Sequence, residues 1–143
     1  MKAFSLAVMM AFGAAGAMVG PAAADSAQGT WRLANGDVTV RISPCGSKLC
    51  GYVVALARPL DKAGRPKVDH ENPNPSLRSR PVMGLQILSN MQAKKDGQWT
   101  GTIYNADDGN TYSAYMSLQG GSTMKVKACV GAFCKIKTFM RVN

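Results

Sequence analysis

The sequence predicts an all-β chain folded as a single antiparallel up-and-down β-barrel of about eight strands. Three observations predict it. Val38-Thr-Val-Arg-Ile42, Met124-Lys-Val-Lys-Ala128 and Lys135-Ile-Lys-Thr-Phe139 alternate apolar and polar residues with a period of two. The turn-forming pairs Asn35-Gly36, Asp96-Gly97, Asp108-Gly109 and Gly120-Gly121 punctuate the apolar runs. No long segment has the periodicity of a helix.

Taken in order, residues 1–24 read as a cleaved signal peptide and residues 25–143 as the barrel domain. Lys2 supplies the positive start, Ala3 to Val19 the apolar stretch, and Ala22-Ala23-Ala24 the small-residue cut before Asp25. A spanning helix needs about 20 apolar residues, and this stretch breaks at Gly20-Pro21. The expected destination is the periplasm, as a free protein with no stable membrane insertion, because the first cysteine that a lipid anchor would need is only Cys45.

The strands then follow. Gly29-Thr30-Trp31 opens the first, over Thr30–Ala34, and the pattern resembles the Gly-x-Trp start of lipocalins. In that superfamily a basic residue near the chain end packs over the tryptophan, and Arg141 is the candidate here. Val38–Ile42, Gly51–Ala57, Val82–Ser89, Trp99–Tyr104, Tyr112–Leu118, Met124–Ala128 and Lys135–Phe139 supply the others. A short helical turn is expected near Ser76–Ser79. Met83, Met91, Met116, Met124 and Met140 fall on strand-like runs, where filling gaps in a core is their default role.

Four cysteines occur in two equally spaced pairs, Cys45/Cys50 and Cys129/Cys134. In an oxidising compartment this reads as two disulfides, each closing a hairpin and each contributing about 2 kcal/mol. Four cysteines allow three connectivities, of which the local one is expected. A four-thiolate zinc site is the alternative, though its Cys–Cys gaps are usually shorter. If Cys45 faces Cys50, Ile42 faces Val53 and Val40 faces Ala55, which is consistent with an apolar inner face. If Cys129 faces Cys134, Val126 faces Lys137 and Lys127 faces Ile136, mixing charge into both faces. The alternation therefore predicts a β-bulge near Cys129 or Cys134, or a different pairing.

Arg58 to Arg80 is the longest stretch without strand pattern. A loop of this length in a compact domain is a lid or a pinned surface segment. As a lid, its Arg78 and Arg80 grip a carboxylate or phosphate at the barrel mouth; as a pinned loop, they pair with Asp69 and Glu71, and this is the weightier alternative. Two blocks here and downstream carry a family resemblance: Asp69, Asn72, Pro73, Leu77, Arg78, Arg80 and Gly84 in the first, and Trp99, Gly101, Ile103, Tyr104, Gly109 and Tyr112 in the second. They resemble the bacterial envelope family of domain of unknown function 2147. Asn74 stands where that family usually has Asp, and Ala106 where it often has Pro. The resemblance implies a lipocalin (calycin)-like barrel in the periplasm and implies no established ligand or reaction.

The chain has a formal charge of +9, and +8 without the signal. Its basic residues are dispersed, and export sets nucleic acid aside, leaving anionic envelope components and acidic small molecules as partners. Catalysis has little support. His70 is the only histidine, flanked by Asp69 and Glu71 in a loop, and no nucleophile motif accompanies it. The chain is expected to be a non-enzyme with no cofactor and no metal. Its expected function is to hold a small apolar or amphipathic, fatty-acid-like ligand in a cavity lined by Val40, Ile42, Ile103, Tyr112, Met116 and Val126, with Arg78 and Arg80 at the mouth. The alternative is an envelope-interaction or inhibitor module acting through its basic surface, which requires a filled barrel.

Overall fold

The computed structural model describes residues 26–143, so the signal-peptide expectation for residues 1–24 lies outside them. Eight antiparallel strands close into a barrel in chain order: β1 (Gly29–Leu33), β2 (Val38–Cys45), β3 (Lys48–Leu56), β4 (Gln86–Ala93), β5 (Gln98–Asn105), β6 (Asn110–Gln119), β7 (Thr123–Val130) and β8 (Phe133–Arg141). The expected helical turn is a single 3-10 turn over Pro75–Leu77, capped by Asn74, whose side chain accepts from the Ser76 amide. Closure pairs β8 with β1 and removes every open sheet edge.

Alternation places one residue in two inside. Trp31, Val40, Ile42, Leu88, Met91, Met116, Met124 and Val126 are all buried and form one cluster. Outward positions such as Arg32, Arg41 and Lys127 are exposed, the reverse of a barrel that faces lipid. Among the described residues, no helix is long and apolar enough to cross a membrane. Met91, Met116 and Met124 fill the core as expected, while Met83 and Met140 are exposed.

At one end the barrel is sealed. The Trp31 indole donates to the Ala27 carbonyl at 2.9 Å. Arg141 lies over the Trp31 ring at 4.2 Å and donates to the carbonyls of Ser26, Gln28 and Gly121. The expected tryptophan–arginine pairing is therefore present, and it ties Ser26 and Gln28 to Arg141 of β8 at the sealed end.

Three expectations need correction. The fourth strand is Gln86–Ala93, not Val82–Ser89, because Val82 to Leu85 forms a turn with Gly84 at φ 83°. Cys45 faces Lys48, not Cys50, because Gly46 at φ 61° opens a two-residue turn that lets the ladder run to its end. As a result, Ile42 faces Gly51 and Val40 faces Val53, with a bulge at Thr39/Val40. The third concerns the last hairpin, where no bulge intervenes. Cys129 faces Cys134, Lys127 faces Ile136 and Val126 faces Lys137. Ile136 accordingly points outward, 61% exposed, and Lys137 inward.

Both disulfides are local, Cys45–Cys50 and Cys129–Cys134. They sit on hairpins that turn at opposite ends of the barrel, which overturns the shared zinc alternative.

Candidate ligand cavity and its pinned loop

The four turns opposite the sealed end surround a cavity of about 1110 Å³. Its wall is largely apolar, with Leu33, Val38, Val53, Ile87, Ile103 and Phe139 among its residues. That volume lies just above the range of ordinary small-molecule sites, about 300–1,000 Å³.

The long loop between β3 and β4 forms one side of the mouth, with Leu60, Lys62, Arg65, Lys67 and Val68 lining the cavity. It is held by a polar knot. Asp69, with no exposed surface, accepts from the Tyr104 hydroxyl (2.5 Å), the Asn72 amide (2.9 Å) and Arg80 Nε (2.8 Å). The Asp69 amide donates back to the Arg80 carbonyl at 2.9 Å. Arg80 also lies 5.6 Å from the centre of the Tyr104 ring, and Arg78 Nε donates to the Asn72 carbonyl at 2.8 Å. Burial pushes the Asp69 carboxyl up, but the three donors and the Arg80 charge together hold it below the ordinary carboxylate value. Burial and the bond to Asp69 push the Tyr104 hydroxyl up.

The knot needs a close approach of backbone to backbone. Gly109, at φ 72°, sits in the β5–β6 turn, where an added Cβ would collide with the Glu71 carbonyl oxygen. Gly101 has the same logic one strand earlier, since a Cβ there would meet the Ser89 carbonyl oxygen at 2.5 Å. Six of the spaced family-like residues, Asp69, Asn72, Arg78, Arg80, Tyr104 and Gly109, thus share one task, fixing the loop and holding it to the β5–β6 hairpin.

Charge on the wall is uneven. Every acidic residue among the described ones lies in a loop or turn, and none lies on a strand. Of the acids lining the cavity, Asp37 pairs with Arg58 and Asp61 with Arg65. Asp108 accepts from the Tyr112 hydroxyl, a bond that raises the hydroxyl's pKa. Lys135 and Lys137 also line the cavity, and neither has an ion pair or side-chain hydrogen bond among the described residues.

The predicted cavity residues divide. Ile103 and Tyr112 line the cavity. Val40, Ile42, Met116 and Val126 do not; each is at most 1% exposed and belongs to the packed plug beneath it. Arg78 and Arg80 lie in the loop's internal hydrogen bonds and not on the cavity wall, which corrects their placement at the mouth. His70 is exposed on the rim beside Glu71, its Nε2 3.3 Å from the carboxylate.

A family model described as "Uncharacterized protein conserved in bacteria (DUF2147)" matches residues 29–141. The chain belongs to this family. Among solved structures it is similar to one titled "Protein HP1028 from the human pathogen Helicobacter pylori belongs to the lipocalin family". The likeness covers 82% of this chain and 84% of that one, with a TM-score of 0.72 and 21% identity. At that identity it establishes a lipocalin-like fold for this DUF2147 chain and nothing about a ligand. None of the curated proteins searched matches the chain.

Sequence reasoning missed the two lysines that face the cavity. The signal was the direct Cys129/Cys134 register, which sets Lys137 beside Val126. Strand tilt explains how a lysine tolerates that neighbour, because a cross-strand row climbs relative to the barrel axis. One row runs from buried Met116 through buried Val126 to Lys137, already in the open cavity.

Proposed function

We propose that this protein binds a small amphipathic, acidic molecule in the open half of its barrel, within the periplasm, without transforming it. The observation that carries this reading is the asymmetry of the interior: a tightly packed plug at one end, and at the other a cavity of about 1110 Å³ with two lysines lacking partners on one wall. An apolar chain would cover Val53, Ile87, Ile103 and Val130, and an acidic group would meet Lys135 and Lys137. The signal-like N-terminus and the two disulfides support export to an oxidising compartment. An envelope-interaction module working through its outer surface would have no use for an open interior, so the cavity disfavours it.

The test is native mass spectrometry of the protein purified gently from the cell envelope, with an organic extract analysed in parallel. The expected result is a reproducible bound acid that is lost from the K135Q/K137Q double variant and kept in R78Q. A protein that emerges bare, and that binds no amphiphile added afterwards, overturns the reading.

A further inference from the structure

Lys135 and Lys137 stand two residues apart on β8, so their side chains share one face. At strand rise their Cα atoms are about 6.5–7 Å apart. Their cross-strand neighbours are Ala128 and Val126, which offer no polar atom to either ammonium, and the next inward residue on β8 is buried Phe139. Two like charges this close repel. A single negative charge between them is attracted by both yet neutralises only one.

Among the described residues, the rest of the cavity supplies one carboxylate without a partner against these charges. Asp37 and Asp61 have arginine partners, and Asp108 is bonded to Tyr112. Asp107, on the β5–β6 turn, is the lining acid without a side-chain partner among the described residues. The loop adds further cations to the same space, Lys62 and Lys67. Net positive charge therefore faces any occupant.

Resting on the ligand-binding reading above, we infer that the polar end of the ligand carries two negative charges, as a phosphate monoester or as two carboxylates on one carbon, bridging Lys135 and Lys137. Lysine suits this role, since its compact charge and three rotatable donors adapt to several oxygens without requiring a planar fork. The dianion cancels the repulsion between the two ammonium groups, which a fatty acid cannot do fully. The apolar remainder then lies along the facing wall of Val53 and Ile103 toward the exposed rim residue Phe133.

The experiment is isothermal titration of the purified protein with dodecyl sulfate, dodecyl phosphate and dodecylmalonate, each below its micelle concentration, between about pH 5 and pH 8. A phosphate monoester gains its second charge near pH 6, whereas the sulfate remains a monoanion throughout. The expected result is that dodecyl phosphate tightens about tenfold relative to dodecyl sulfate as pH rises, and that K135Q and K137Q each bring the two within about twofold. His70 also lines the cavity, and the sulfate series controls for any charge change on the protein's own groups. Preference for phosphate over malonate assigns the head as a phosphate, and the reverse order assigns paired carboxylates. Equal affinity for sulfate and both dianions at every pH overturns the dianion assignment alone. Binding of none of the three overturns the amphiphile-binding reading itself.

Discussion

Asp69 shows how a single residue can anchor a loop that is otherwise rich in proline and charge. Its carboxylate is buried, yet the Tyr104, Asn72 and Arg80 donors outweigh the desolvation, so the charged form is the favoured one. Asp69→Asn removes the charge and turns part of the acceptor into a donor facing Arg80. The expected loss is about 2 kcal/mol in urea unfolding at neutral pH. The pH dependence has a definite sign. Because the folded carboxyl titrates below its ordinary value of 3.8, its contribution is complete above 3.8 and disappears as pH falls through the folded value. Unfolding midpoints of the wild type and Asp69→Asn should therefore converge in acid; curves that stay parallel would mean Asp69 is not the group responsible. Gly109→Ala attacks the same knot from the other side. The added Cβ meets the Glu71 carbonyl, and the backbone is at φ 72°, so the cost should exceed the roughly 1 kcal/mol of a strained glycine site. Hydrogen exchange in this variant should speed up over residues 58–82 before it does so in the strands.

Strand β8 marks where the sequence stopped being legible. Eight strand-like runs are legible in the sequence, three of them strictly alternating and the fourth placed four residues early, since burying one face of a sheet imposes a period of two. Alternation alone assigns faces by majority, however, and on β8 the majority rule fails. Ile136 points to solvent while Lys135 and Lys137 point inward, so the apolar pattern inverts. The expected bulge would have restored a conventional apolar face; the observed register keeps the disulfide partners opposed and places two solvent-open lysines on the cavity side. A local departure from pattern of this kind is where function is expected, because stability alone would have favoured the apolar choice. Arg78 and Arg80 misled for the opposite reason. They look like a free basic pair in sequence, and only the fold brings Asp69, Tyr104 and the Asn72 carbonyl to them. The inversion on β8 has a measurable consequence. Lys137→Gln relieves repulsion in the unliganded barrel, so its urea midpoint at low salt should equal or exceed that of the wild type while acidic-ligand affinity falls. A midpoint well below wild type would show that Lys137 supports the fold, not a ligand.

Across the whole molecule, stability and binding occupy different halves of one barrel. The sealed half holds Trp31 beneath Arg141, with Met91, Met116, Met124 and Val126 packed around it, none more than 1% exposed. The open half is walled by the same strands after they leave that plug, and its rim ends in exposed groups such as Phe133, 82% exposed, and Val130, 57% exposed. The two disulfides follow the same division, one on a hairpin turning at the sealed end and one at the mouth. Truncating side chains in the two halves should therefore separate the two properties. Met124→Ala leaves a cavity inside close packing and should cost about 2–5 kcal/mol. Phe133→Ala removes a ring that is already in water, so stability should change by no more than about 0.5 kcal/mol. Binding should rank the variants the other way, with Met124→Ala retaining acidic-ligand affinity under conditions where it is folded and Phe133→Ala losing part of the apolar contact. Paired urea titrations and calorimetric binding on the two variants measure both quantities. If the same variant lost both stability and affinity, plug and cavity would be a single cooperative unit and the division of labour would be wrong.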